Sequence, residues 1–198
     1  MDERLYLLKI TLLGIEPKVW RMFVVPASIS LDRFHDVIQI VMGWNDSHLH
    51  EFAIGKKCYT EEPERGDGTA EEGFQRLVDL VKRRGRSFLY LYDFGDGWEH
   101  EVELEESRYN GKELPSVIWC LEGEGACPPE DVGGVPGYEE FRMIMADPDH
   151  PDHKAMGYWY SGYDPCNEGF DPDRFVVERA NEELGKFERW SRDRIQFW

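Results

Sequence analysis

Residues 98–106 read WEHEVELEE. Trp98, His100, Val102 and Leu104 alternate with Glu99, Glu101, Glu103 and Glu105. A period of two with one apolar set and one charged set describes a strand whose one face is buried and whose other face is wet. Just ahead of it, SFLYLYDF (87–94) is apolar on both faces, as in a central strand. Between the two runs, Gly95 and Gly97 tolerate positive φ and Asp96 suits a turn. The segment therefore predicts a central β-hairpin with FGDGW at its tip, Asp93 and Asp96 beside the turn, and Trp98 and His100 facing inward. The letters DFG do not make this a kinase metal loop, because no Gly-rich phosphate loop, strand lysine or HRD-type loop precedes them.

The segments before the hairpin extend the pattern. LYLLKITLLG (5–14) and KVWRMFVVP (18–26) read as two strands joined by a turn. In SLDRFHDVIQIVMGW the period changes: Leu31, Phe34, Val37, Ile38, Val41 and Met42 share one helical face, Ser30 stands at the N-cap position and Gly43 ends the helix. HLHEFAIG (48–55) returns to a period of two, with His48, His50 and Phe52 on one face. After an acidic loop (60–73), FQRLVDLVKRRG (74–85) reads as a short helix. Beyond the hairpin, YNGKELP holds an Asn-Gly turn, SVIWCLEG a further strand, and 124–137 an irregular loop dense in Pro and Gly. YEEFRMIMAD is a helix, PDHPDH a turn and helix start, and 171–190 a C-terminal helix entered after Pro172. The fold class is α+β: a mixed β-sheet with an N-terminal strand–strand–helix–strand unit, a central β-hairpin and C-terminal helices. No repeat or linker divides the chain, so residues 1–198 are expected to form a single domain, a size that needs no disulfide or metal simply to fold.

Formal charge is −17, from 40 acids against 23 Lys and Arg. Nucleic-acid affinity rests on cation density and counterion release, so extensive nucleic-acid binding is not expected. The best local exceptions are Lys82, Arg83, Arg84 and Arg86, and RWSRDR near the C-terminus. No run approaches the roughly 18 apolar residues of a membrane helix, and the start, MDERLYLLKI, has no signal-type apolar block. A cytoplasmic protein with no membrane contact is the expectation. Cys58, Cys120, Cys127 and Cys166 form no CxxC pair and read as free thiols.

Chemistry can be assembled from several places. His48, His50 and His100 lie on inward strand positions, and convergence of their strands would make a nitrogen-rich site for zinc or another divalent metal, with Cys120 and Cys127 as further candidate ligands. CLEGEGACPPED brings Glu122, Glu124, Glu130 and Asp131 close to the two cysteines in sequence. DPDHPDH (147–153) lacks the central glycine and the twelfth-position glutamate of a calcium loop. The glycines of 123–137 make no phosphate cradle, since no Lys-Ser/Thr follows them, and no serine nucleophile elbow is present.

YDFGDGWEHEVELEE, CLEGEGACPPEDVGGVPGYEEF, DPDHPDH, GFDPDRF and ANEEL, together with the segment from YLLKITLLG to SHLHEF, resemble the plasmid pRiA4b ORF-3-like family over nearly the whole chain. The resemblance implies an α+β fold with a mixed sheet. It brings a mobile-element association but no accepted catalytic residues, and no recombinase serine motif is found here. The motif residues Asp93, Asp96, Trp98, His100, Cys127, Pro128 and Asp131 are pocket candidates, joined by His50.

Three functions follow as expectations. The leading one is a binding or interaction module whose groove, lined by His50, Asp93, Asp96, Trp98, His100, Cys127 and Asp131, takes a protein or small-molecule ligand. The alternative is a metal-dependent, hydrolase-like enzyme that uses clustered His, Asp and Cys to activate water. The weaker alternative is a mobile-element-associated DNA-binding accessory protein acting through Lys82–Arg86.

Overall fold

A computed structural model describes residues 4–63, 68–163 and 169–195, with side chains through residue 187. Cys166 and the side chains of RWSRDR lie outside the described part.

The architecture is α+β. Eight strands form one sheet in the order β5-β4-β3-β6-β7-β1-β2-β8, where β1 is Leu5–Leu12, β2 Trp20–Pro26, β3 His50–Ile54, β4 Lys57–Thr60, β5 Ala70–Glu71, β6 Ser87–Tyr92, β7 Trp98–Tyr109 and β8 Trp119–Glu124. The short β4–β5 pair is parallel and the other pairs are antiparallel. The helices are α1 (Leu31–Met42), a single turn α2 (Leu77–Leu80), α3 (Gly134–Ala146), α4 (His153–Tyr160) and α5 (Val177–Ile195).

The alternation in β7 works as its sequence requires. Trp98, His100, Val102 and Leu104 are buried while Glu99 and Glu101 are exposed. Helix α1 covers the inner face of the sheet. Its Phe34 ring lies 5.9–6.3 Å from the rings of Phe23 on β2, Phe52 on β3 and Phe88 on β6, so one side chain links three strands. Gly43 ends α1 in the left-handed region, whereas Ser30 holds the N-cap position without a side-chain capping bond. Edge strand β8 is closed by α5: the Asn181 amide accepts from Cys120 N and donates to Cys120 O, both at 2.8 Å, which removes groups that would otherwise invite a foreign strand.

Several elements differ from the sequence reading. Strand β4 is added to it, β5 lies within the stretch 60–73 expected as a loop, and α3 begins at Gly134, inside the expected loop 124–137. Residues 74–85 are not one helix but a 3-10 turn (Glu72–Phe74), the single turn α2, and an exposed turn holding Lys82–Arg86; Leu104 pairs with this turn through Gly85 and Arg86. Strand β3 begins at His50, leaving His48 in the connection from α1. Helix α5 begins at Val177 rather than after Pro172. Strand β6 is central in order, yet only Phe88, Tyr90 and Tyr92 are buried and Leu89 is 44% exposed, because no described helix covers its outer face.

A buried arginine braces the end of this framework. Arg21 is 1% exposed and donates to the carbonyls of Val41, Trp20, Glu124 and Gly125 at 2.7–2.9 Å. It joins the end of α1 to the end of β8 and to the loop that follows. Burial lowers its pKa to about 10, so the guanidinium stays charged and saturates those acceptors.

Candidate functional site

Three segments meet at one end of the sheet: the α1–β3 connection (44–49), the hairpin tip (93–97) and the loop 125–133. The tip is a tight structure built by Asp93. Its backbone takes φ +57°, its Oδ1 accepts the Gly95 amide at 2.8 Å and its carbonyl accepts the Gly97 amide. This leaves Oδ2 free to face away from the turn. The tip is then locked to the third segment. Asp96 Oδ2 accepts the Gly133 amide at 3.0 Å, and Gly134, at φ +66°, comes so close that a Cβ there would stand 2.4 Å from Asp96 O. Only glycine permits that approach.

The α1–β3 connection is fixed amide by amide. Asn45 N donates to Glu130 Oε1 at 2.9 Å, Asp46 N to Gln39 Oε1 at 3.0 Å, and Ser47 N to the Tyr92 hydroxyl at 3.0 Å. The three acceptors come from the third segment, from α1 and from β6, and all are buried. Trp44 adds a bond from its indole to Pro128 O. The next residue is His48.

His48 Nε2 lies 3.3 Å from Asp131 Oδ1, 3.7 Å from Asp93 Oδ2 and 3.7 Å from Glu130 Oε2. Although it is buried, the atom makes no hydrogen bond. Among the described residues, His48, Asp93 and Asp131 are the one group of three His, Cys, Asp or Glu side chains whose ligand atoms all lie within 4.8 Å of one another. Asp131, like Asp93, has φ +57°, an uncommon conformation for any residue but glycine and one that collects at functional sites. Glu130 backs the group: the Tyr92 hydroxyl donates to its carboxylate at 3.1 and 3.3 Å. Burial, then the Asp131 and Glu130 charges, pushes the Tyr163 hydroxyl up, so the field here is negative.

The three histidines do not converge. His50 donates from Nε2 to both Glu72 oxygens at 2.9 and 3.0 Å and stacks on His35, with ring centroids 3.5 Å apart and planes 6° from parallel. His35 donates from Nε2 to Asp46 Oδ1 at 2.8 Å, since a carboxylate can only accept. In the neutral ring its Nδ1 then accepts from the Tyr90 hydroxyl at 2.8 Å. Gln39 donates to that same hydroxyl at 3.0 Å. The bond from His35 holds the Asp46 carboxyl below its ordinary range. His100, fully buried, donates from Nδ1 to Tyr90 O at 3.3 Å. Burial pushes its pKa down to about 4, so it is neutral and its Nε2 is an acceptor without a donor.

The remaining candidates separate in the same way. Trp98 is 1% exposed and packs between Trp44 and Tyr138. With His50 and His100 it forms the wall behind the site rather than the surface of a groove. Cys120 contacts carbonyls of Met22 and Glu122, and burial raises its thiol to about 12. Cys127 is also pushed up by burial. Neither cysteine belongs to the group around His48, and both are protonated thiols in this setting. Of the sequence candidates, the structure brings together His48, Asp93 and Asp131, with Asp96 holding the frame. Glu130 and Tyr92 lie within the stretches CLEGEGACPPED and YDFGDGWEH, but Gln39 and the links Asp46–His35 and His50–Glu72 carry no motif spacing, because their partners are remote in sequence.

The family model for the plasmid pRiA4b ORF-3-like protein matches residues 4–179. The chain belongs to this family. His48, Asp93, Glu130 and Asp131 lie within the matched region of the pRiA4b ORF-3-like family, as does the network behind them. An uncharacterized protein, y4hQ, of Sinorhizobium fredii is 41% identical over 190 residues, covering 93% of each chain. A crystal structure of a protein of unknown function from Methanosarcina mazei Go1 is similar with a TM-score of 0.77 and 33% identity, over 90% of this chain and 98% of its own.

Proposed function

We propose that the chain is a divalent-metal-dependent, hydrolase-like protein whose ion is held by His48 Nε2, Asp93 Oδ2 and Asp131 Oδ1. The spacing of those atoms carries the reading. Two ligands about 2.1 Å from a tetrahedral ion stand about 3.4 Å apart, and His48 Nε2 is 3.3 and 3.7 Å from the two aspartate oxygens. Neither contact is a hydrogen bond, and His48 Nε2 has no hydrogen-bond partner among the described residues. One imidazole with two carboxylates suits zinc, manganese or iron, and three protein ligands leave a position for water or substrate. A bound ion would supply an activated water. Glu130, with Oε2 3.7 Å from His48 Nε2, is placed to receive its proton, and Tyr92 and the Asn45 amide hold that carboxylate in position.

Calorimetric titration of chelator-treated protein with zinc, manganese and cobalt tests the reading. One ion per chain is expected, lost in His48→Ala and Asp93→Asn. No binding by the folded wild type overturns it. A second reading keeps the site without turnover, as a ligand-binding module. The exposed Leu49 and Phe94, at 59% and 54%, favour it, since they flank His48 and Asp93. Metal binding without hydrolysis of any ester or amide panel would select it. The DNA-binding expectation retains an exposed Lys82–Arg86 turn, and no observation at the site favours it.

A further inference from the structure

Asp131 has a second role in the geometry. Besides facing His48, it lines a cleft of about 400 Å³ between α3 and α4, together with Val132, Phe141, Met156 and Trp159, and with the carboxylates of Glu140 and Asp152. A volume of this size lies within the range of small-molecule sites. Its walls combine an aromatic and thioether surface with three acids, and no Lys, Arg or His is among the described lining residues. The low-dielectric wall concentrates the field of those acids. His48 faces Asp131 at 3.3 Å and the His150 imidazole stands 4.0 Å from Asp152, yet no Lys or Arg offsets the three acids within the described lining, so an anionic ligand would meet net repulsion there. A cation carried on an apolar body satisfies both the charge and the surface, and Trp159, in the cleft wall, is the ring type best suited to ammonium or guanidinium.

We propose that this cleft binds an organic cation with an apolar body, an alkyl or arylalkyl amine, and so selects the substrate of the adjoining centre. The reaction rests on the metal reading given above; binding of the cation does not.

The two are separated by one set of measurements on the intact chain. Metal-free protein is titrated with 4-phenylbutylamine and with 4-phenylbutyrate, probes of matched size and opposite charge, and binding is followed by heteronuclear NMR. The amine is expected to bind at least about tenfold more tightly than the acid, with shifts at Trp159 and Met156. In a Glu140→Gln, Asp152→Asn double variant that preference is expected to collapse. Trp159→Leu should weaken the amine while leaving the fold intact by circular dichroism. Equal binding of both probes, tighter binding of the acid, binding of neither, or a preference unchanged in the double variant overturns the proposal. Zinc is then added to the same samples. Amine binding without zinc binding removes the metal reading and leaves the cleft assignment standing; zinc binding without amine binding does the reverse.

Discussion

Gln39 Oε1 accepts the Asp46 amide at 3.0 Å, so a side chain on α1 fixes the backbone two residues before His48. Both ends of the Gln39 amide are engaged, because its nitrogen donates to Tyr90. Gln39→Leu removes both bonds at a buried position and leaves the Asp46 amide without its partner. A loss of about 1–3 kcal/mol in urea unfolding is expected. Cobalt affinity should fall as well, with a changed visible spectrum. Gln39→Glu, which keeps the acceptor oxygen, should restore most of the affinity. An unaltered spectrum in Gln39→Leu would show that the connection is held without it.

The buried His50 Nε2–H is shared between both oxygens of Glu72, and breaking such a pair from one side leaves a polar group without water or partner. Glu72→Leu alone is expected to cost on the order of 3 kcal/mol in chemical denaturation. A Glu72→Leu, His50→Phe double variant should recover part of that loss, since no orphaned partner remains. If the double variant loses the sum of the two single effects, the pair is not acting as a unit.

The His100 imidazole is held neutral by burial, with a pKa pushed down to about 4. Below its unfolded value of about 6.5 the unfolded chain binds a proton that the folded chain does not. Stability attributable to this residue is therefore full above about pH 6.5 and declines as pH falls toward 4. The total contribution approaches an order of 3 kcal/mol. Urea midpoints between pH 7.5 and 4.5 should fall less steeply in His100→Phe than in the wild type. Parallel slopes would show that His100 is not protonated on unfolding.

Gly134 combines φ +66° with a site where a Cβ would stand 2.4 Å from Asp96 O. Gly134→Ala must push the hairpin tip away from the start of α3, a distortion of more than about 1 kcal/mol. The displaced tip carries Asp93, so thermal stability and metal affinity should drop together. Loss of stability with metal affinity intact would show that the tip and the loop move as one body.

The hairpin was legible because its alternation runs along one segment: Trp98 to Leu104 turn inward and the glutamates outward whatever the rest of the chain does. Helix α1 and its Gly43 stop were legible for the same local reason. The extent of residues 74–85 as structure was not, since Leu77 is buried by packing while the backbone around it bonds to Ile29 and Ala27, partners that no local periodicity encodes. The histidines show the limit most directly. His48 and His50 look alike in sequence, two residues apart on one strand face. The strand begins only at His50, so His50 turns into the core toward Glu72, while His48, on the connection, reaches Asp93 and Asp131.

By itself the sequence determined six of the eight strands, the first helix, the turn at Asp93–Gly97 and the residue types that meet at this end of the sheet, because alternation, capping and positive-φ preferences act over a few residues. Tertiary structure alone decided which imidazole faces carboxylates and which is buried as a bonded wall. That choice depends on hydrogen bonds between segments 7 to 85 residues apart, such as Gln39 to Asp46 and Asn45 to Glu130, and on burial that leaves a polar group either partnered or aimed at a site.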